Sequence, residues 1–169
     1  MSDDVFEGFL KQQFAEGMAL ASQSDLFELL PQDLDRYVAS FHCKGLVRGR
    51  DGEVVEASEF HVGIWFPSDY CRHADPLKVL TWLYPLNVWH PNVRPPLICI
   101  GHIMPAMGLA DLIYQVYEII TYQNFATHDP LRGEVAEWAW NRMDRFPVDR
   151  RPLKRRALNL PVKNEVQPQ

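Results

Sequence analysis

The apolar residues at the start of the chain recur with the period of a helix. Their i, i+4 spacing places them on one helical face. Ser2 is a candidate cap, and Asp3 and Asp4 suit the positive end of the helix dipole. A second, short helical turn is predicted from Asp25 and is limited by Pro31. The predicted stripe consists of Val5, Phe6, Phe9, Leu10, Phe14 and Met18.

Residues 37–48 alternate instead between apolar and polar side chains, which indicates a β-strand. Residues 49–52 (Gly-Arg-Asp-Gly) predict a hairpin turn after it. A second strand is predicted over residues 60–66, ending before Pro67, and a third over residues 77–82. The pattern predicts an antiparallel meander with one face in need of cover. The first strand's apolar side consists of Tyr37, Ala39, Phe41, Cys43 and Val47.

Beyond the meander, four prolines hold residues 87–105 in loops and short strands. Helical spacing returns at residues 112–120, and after a turn at residues 127–131 it predicts a last helix that ends before Pro147. Helices beside an antiparallel sheet make an α+β fold. We expect one domain over residues 1–149 and a basic, proline-containing tail over residues 150–169. The last helix's apolar positions are Val135, Trp138, Ala139 and Met143.

Composition narrows the function classes. The 169 residues carry a net charge of −5, so nucleic acid is not an expected partner. Three cysteines without a CxxC pair indicate free thiols in a reducing compartment. Because the start of the chain is acidic and no long apolar run exists, neither a secretion signal nor a membrane span is expected. We expect a cytoplasmic protein without a membrane partner.

Cys99 is the main candidate for chemistry. It lies in a short apolar run, seven residues after Asn92 of a His90-Pro91-Asn92 triplet. A thiol there can act as a covalent acyl carrier, or it can be a small buried hydrophobic residue. Cys43 falls on the apolar side of its strand and is expected in the core, whereas Cys71 falls in a polar loop.

Four stretches of the chain together resemble the ubiquitin-conjugating enzymes. They are residues 60–67 (Phe-His-Val-Gly-Ile-Trp-Phe-Pro), the triplet at residues 90–92, residues 98–100 (Ile-Cys-Ile), and the Asp-Pro-Leu turn at residues 129–131 with the following Glu134, Val135 and Ala136. They occur in the family's order and at similar spacing. The resemblance implies the family's α+β fold: an N-terminal helix, a meander, a cysteine loop and C-terminal helices.

The resemblance also implies a function. Cys99 would receive a ubiquitin-like protein from an activating enzyme as a thioester and pass it to an amine, such as a lysine of a protein target, with or without a ligase. Asn92 would stabilise the oxyanion or brace the loop; as a turn residue it would do neither. Asp129 would orient or deprotonate the amine, or cap a helix. His90 would support the loop, and His128 would add to or replace the function of Asp129.

The chain also departs from the family's pattern. Tyr70 is followed by Cys71 rather than proline, and residues 103–106 (Ile-Met-Pro-Ala) replace a tryptophan usual after the cysteine. These departures resemble those of compact bacterial members, some of which belong to phage-defence operons. They predict a bacterial protein in antiviral defence, and they make partner identity the least transferable property. The basic tail is either a solvated, mobile end or a docking segment for an acidic partner.

Other classes remain open from the residues alone. A zinc site would use His90, Cys99, His102 and His128, although only Cys99 and His102 have a paired-ligand spacing. A cysteine hydrolase would pair Cys99 with one of the last two histidines. A non-catalytic binding module of the same fold is the third alternative. With the conjugating function, no cofactor and no metal are expected.

Overall fold

The computed structural model describes residues 4–126 and 128–155. The N-terminal cap predicted at Ser2 therefore lies outside the described residues. Three longer helices are present in this part of the chain: α1 (Asp4–Ser22), α3 (Leu109–Ile120) and α4 (Gly133–Trp140); α2 (Pro76–Val79) and a 3-10 turn (Met143–Arg145) are short. The strands are β1 (Phe27–Asp33), β2 (Arg36–Phe41), β3 (Gly45–Arg48), β4 (Val54–Ala57), β5 (Phe60–Trp65), β6 (Leu80–Tyr84), β7 (Val93–Arg94) and β8 (Leu97–Ile98).

Helix α1 is confirmed, but its buried face is rotated from the predicted one. Val5 and Met18, which belong to the apolar stripe, are exposed. Gly17 is buried instead, and a Cβ there would lie 2.6 Å from Leu109, so the glycine allows α1 to approach α3 closely. The Oε1 atom of Gln13 accepts a hydrogen bond from the Leu109 amide at 2.7 Å. A polar residue therefore lies on the packed face because it satisfies the start of α3.

The main sheet has four antiparallel strands in the order β1-β2-β5-β6. The helical turn predicted from Asp25 is wrong: residues 27–33 form β1, and Phe27 pairs with Phe41. The single strand predicted over residues 37–48 is two strands, because β3 leaves the sheet. It pairs across the predicted turn at residues 49–52 with β4, a strand that was not predicted. The predicted third strand begins later, at Leu80, after the turn of α2.

One face of the sheet is buried, as predicted for the meander. Phe60, Val62 and Ile64 of β5 are buried, whereas the residues between them are not. The buried side packs with α1 and α3, whose apolar positions Leu10, Leu112 and others join the same core. Burial of this apolar surface is the main stabilising contribution to the fold. The arrangement confirms the α+β class.

The C-terminal part differs from its prediction at both ends. Helix α4 ends at Trp140, and Met143 is exposed in the 3-10 turn, so its predicted packing is wrong. Residues 149–155 pack on the domain rather than leaving it: Leu153 is 2% exposed, and the Arg155 amide donates to the Gln23 carbonyl at 2.8 Å. Residues 156–169, the rest of the predicted tail, lie outside the described part of the chain.

Asp149 anchors this last segment. Burial raises the pKa of its carboxyl group, but hydrogen bonds from Arg151 and from the Lys44 amide outweigh burial and lower the pKa to about 2. The Lys44 amide donates to Oδ2 at 2.9 Å, which ties the segment to the start of β3. Neighbouring Cys43 is fully buried, as predicted, and burial raises the pKa of its thiol to about 12. No described helix combines the length and the apolar character that a membrane crossing requires.

Candidate active site

The segment that carries Cys99 is fixed to the sheet and to the β3–β4 hairpin before it reaches the cysteine. The Trp82 indole donates to the Pro85 carbonyl at 2.9 Å, and the Trp82 amide donates to the Pro96 carbonyl at 2.9 Å. The Trp89 amide donates to the Leu46 carbonyl at 2.8 Å. Prolines lack amide donors, so main-chain and indole groups of neighbouring elements hold the loop in place.

Asn92 is the centre of the site's hydrogen-bond network. Its Nδ2 donates to the Cys99 carbonyl at 2.9 Å, and its own carbonyl accepts from the Cys99 amide at 2.9 Å. Its Oδ1 accepts from the Ala126 amide at 2.8 Å. Asn92 is 8% exposed, so these bonds are mostly shielded from water. The side chain joins the cysteine to the segment that follows α3, a bracing arrangement that extends beyond a local turn.

Cys99 follows β8 directly, so it lies where a strand becomes a loop. The residue is partly exposed, between buried Ile98 and Ile100. Gly101, two residues on, has a φ of +88°, which a residue with a side chain rarely adopts, and it turns the chain away from the strand. The cysteine is therefore not sealed in the hydrophobic core.

His90 is 2% exposed and supports the loop. Its Nδ1 accepts a hydrogen bond from the Asn92 amide at 3.0 Å, and its ring lies 4.4 Å from the Tyr122 ring. Burial lowers the pKa of the imidazole to about 3, so the ring is neutral at physiological pH. The Tyr122 hydroxyl donates to the Trp89 carbonyl just before the triplet. His90 therefore braces the loop. As a buried residue, it is not accessible to a substrate from which a general base would remove a proton.

His128 and Asp129 lie on an exposed turn. The turn is attached on both sides to the triplet: Ala126 bonds Asn92, and the Arg132 amide donates to the Pro91 carbonyl at 3.1 Å. Asp129 is three residues from each attachment. Within residues 4–126 and 128–155, no hydrogen bond or ion pair joins Cys99 to either side chain.

The helix-cap interpretation of Asp129 is wrong. Helix α4 begins at Gly133, and its N-cap position is Arg132. Asp129 instead has a φ of +50°, in the left-handed region that aspartate and asparagine tolerate better than most residues. The carboxylate is therefore not used by the helix.

Arg132 and Tyr122 are two parts of the site that the sequence did not single out. The Arg132 Nη1 donates to the Val88 carbonyl at 3.0 Å, so this residue fixes the turn to the chain before the triplet. Neither residue belongs to a motif or a periodic pattern, and their contacts span 33 and 44 residues along the sequence. Only the folded chain brings them to the site.

The proposed zinc ligands do not form a centre. Among the described residues, which include all four candidates, no group of three or more histidine, cysteine or carboxylate side chains is arranged to hold a metal ion. His90 is turned to the Asn92 amide. For a hydrolase, no described hydrogen bond links Cys99 to a histidine, so the nucleophile–base contact of that class is not formed here.

Comparisons with known proteins support the fold. No protein-family model matches the chain, and no curated protein matches it. Among solved structures, the chain is similar to the E2 domain of a ubiquitin conjugating enzyme from Toxoplasma gondii, with a TM-score of 0.52 and 18% sequence identity. The alignment covers 82% of this chain and 89% of that chain. The fold is therefore that of the E2 domains, as the resemblance implied.

Proposed function

We propose that this protein carries a ubiquitin-like protein as a thioester on Cys99 and transfers it to an amine of a protein target. The observation that carries the proposal is the pair of hydrogen bonds between Asn92 and Cys99. One involves the Asn92 side chain, and the other involves its main-chain carbonyl. The pair holds a partly exposed thiol beside a His-Pro-Asn triplet in a chain with the fold of an E2 domain. These features match what an acyl-carrying thiol requires, namely access and a defined position.

In the first step, the Cys99 thiolate attacks the acyl carbon of the thioester that the activating enzyme holds. The activating enzyme's thiolate leaves, so one thioester replaces another and no oxidation occurs. The thiolate is the reactive form, and its sulfur must be reached by a second protein. The partial exposure of Cys99 fits that requirement.

In the second step, the nitrogen of a lysine attacks the acyl carbon, the Cys99 thiolate leaves, and an amide forms. Lysine has a reference pKa of about 10.4, so it must lose a proton before it attacks. The Asp129 carboxylate lies on the exposed turn and does not cap α4. It orients the ammonium and assists the loss of the proton, and His128 supplements it. A target amine can approach this side because the turn is open to solvent.

Asn92 acts first as a brace in this scheme. One hydrogen of its Nδ2 is used by the Cys99 carbonyl, and its Oδ1 is used by Ala126. The second hydrogen of the amide nitrogen is the only one that an oxyanion can receive from this side chain. His90 stays neutral and holds the Asn92 amide.

The test is a loading reaction with the cognate activating enzyme, ATP and the ubiquitin-like protein, read on a non-reducing gel. We expect a covalent adduct that a thiol reductant removes. Cys99→Ala abolishes the adduct, and Cys99→Ser gives an ester that resists reductant. Cys71→Ala is the matched control, since Cys71 is partly exposed like Cys99, and it keeps the adduct.

Three results would contradict the proposal. An adduct that persists in Cys99→Ala would show that another residue carries the acyl group. No covalent species with any activating enzyme, together with reversible partner binding, indicates a binding module. Turnover of a peptide or ester substrate without ATP indicates a hydrolase. A bacterial source and a role in antiviral defence remain predictions that neighbouring genes would test.

A further inference from the structure

A pocket lies between the β3–β4 hairpin and the end of α4, and its lining does not include Cys99. Its volume is about 400 Å³, within the range of small-molecule sites. Arg48 and residues 52–54 line it from the hairpin side, and Arg142 and Arg145 line it from the helix side. The indole rings of Trp89 and Trp138 complete the lining. The pocket is thus basic and aromatic, unlike the surroundings of Cys99.

The guanidinium groups are held in place by the tryptophans. The Arg48 guanidinium carbon lies 5.2 Å from the centroid of the Trp89 ring. The Arg142 and Arg145 guanidinium carbons lie 4.8 and 5.7 Å from the centroid of the Trp138 ring. In a cation–π contact, the face of the guanidinium group packs on the indole ring. The N–H donors at the edge of the group then stay available to a ligand.

These three arginines have no carboxylate partner within ion-pair distance among the residues that the structure describes. Arg48 donates from Nε to the Gly52 carbonyl at 3.3 Å, and Arg142 donates from one terminal nitrogen to the Trp138 carbonyl at 3.2 Å. A guanidinium has five N–H donors, so most stay unused. The exposed Glu53 is the one acidic residue in the lining, which leaves a net charge of +2.

The charge and the geometry favour a phosphate group over other anions. A phosphomonoester carries about −1.5 to −2 charges near pH 7 and three acceptor oxygens, which matches three guanidinium forks. A single carboxylate would leave a positive charge uncompensated. A stacked nucleobase would have to displace guanidinium groups, because two already lie over each indole ring, Arg132 being the second over Trp89.

The indole N–H of Trp89 is itself buried away from water, so the donors that the pocket offers a ligand are those of the three arginines. We propose that this pocket binds the phosphate group of a small phosphorylated molecule, which bridges the hairpin and the C-terminal helix.

The test is a calorimetric titration of the full-length protein with inorganic phosphate and with pyrophosphate, at constant ionic strength. We expect saturable binding of one equivalent, with pyrophosphate binding more tightly because it carries more charge. Arg145→Gln and Arg142→Gln are each expected to raise the dissociation constant about 10-fold, the size of one charge-assisted hydrogen bond.

Arg36→Gln is the matched control. Arg36 also lies over a tryptophan, 5.3 Å from the Trp65 ring centroid, but on the main sheet. The Arg36→Gln substitution removes the same charge, and we expect phosphate to bind to this variant as it binds to the parent protein. A titration with glutamate at the same ionic strength tests whether the pocket binds any anion.

Three outcomes would overturn the proposal: no saturable binding, equal weakening by Arg36→Gln, or glutamate binding as tightly as phosphate. Circular dichroism of each variant checks folding, and Arg145→Lys, which keeps the charge but loses the fork, is expected to restore only part of the affinity.

Discussion

The two segments that meet at the candidate active site are held in opposite ways. The segment from His90 to Cys99 is fixed by hydrogen bonds of the buried residues His90 and Asn92 and by the β7–β8 pairing between its ends. The turn with His128 and Asp129 is attached on its two sides through Ala126 and Arg132, and the His128 and Asp129 side chains are exposed. One side is ordered before any partner arrives, and the other is open.

This difference fits a reaction with two protein partners. The proposed transfer requires the acyl carbon at a defined position, which a preorganised loop provides without further ordering cost. In the proposed reaction, the incoming amine belongs to another protein and approaches from solvent. A rigid side and an accessible side therefore have separate tasks, and substitutions on each side should fail in different ways.

The largest expected effect is that of Asn92→Ala. It leaves the Cys99 carbonyl and the Ala126 amide without partners in a mostly buried place, so we expect the free energy of unfolding to fall by about 3 kcal/mol. Urea denaturation measures it. In single-turnover discharge to free lysine, we also expect a slower rate, because both segments lose their common anchor.

Asn87→Ala is the matched control for that substitution. The Asn87 side-chain amide donates to the Arg48 carbonyl at 2.8 Å, the same kind of bond, but in an exposed position. We expect a stability loss below about 1 kcal/mol there. Equal losses in the two variants would mean that the fixed segment is no more rigid than the surface.

The second prediction concerns the dependence of stability on pH. The unfolded chain protonates His90 near pH 6.5, whereas burial lowers the pKa in the folded protein to about 3. The unfolded state therefore binds more protons in this window, and the free energy of unfolding falls as the pH falls, with a limiting slope of about 1.4 kcal/mol per pH unit. His90→Gln removes that contribution, which urea denaturation at several pH values between 4 and 6 measures.

His128→Gln is the control here, because it makes the same substitution at an exposed position. We expect its stability to follow the parent protein across the same pH values. If His90→Gln also keeps the parent slope, the imidazole is not held neutral, and its role as a buried brace is wrong.

The smallest effect on stability is expected from Asp129→Asn. Asparagine tolerates the positive φ, and the side chain is exposed, so the free energy of unfolding should change by less than about 0.5 kcal/mol. Thioester formation should be unchanged. Discharge to free lysine should need a higher pH, because the carboxylate no longer assists deprotonation, and rates measured across pH 7 to 10 give the profile.

Asp69→Asn, at an exposed turn before Tyr70, makes the same chemical change elsewhere, and we expect it to leave the profile unchanged. An unchanged profile in Asp129→Asn would assign the open turn no part in the chemistry. A large loss of stability in Asp129→Asn would instead show that the turn is structural, and the contrast between the two segments would disappear.

Some features of the site were predictable because they depend on neighbours in the chain. The triplet and the cysteine are only seven residues apart, and β7 and β8 pair between them as one short hairpin that returns Cys99 to Asn92. The choice between helix cap and free carboxylate at Asp129 was not predictable, because it depends on α4 starting at Gly133. The attachments of the turn to Asn92 and Pro91 likewise depend on contacts across more than 30 residues.

The amino-acid sequence by itself determined the main helices, the hairpin, the α+β class and the candidate thiol, because periodicity and turn chemistry act over a few residues. Only the tertiary structure decided that residues 27–33 form a strand, that α1 buries Gly17 instead of Met18, and that Leu153 packs in the core. Each of these depends on a partner distant in sequence. Pairing partners and close approach decide such positions, and local propensity cannot anticipate either.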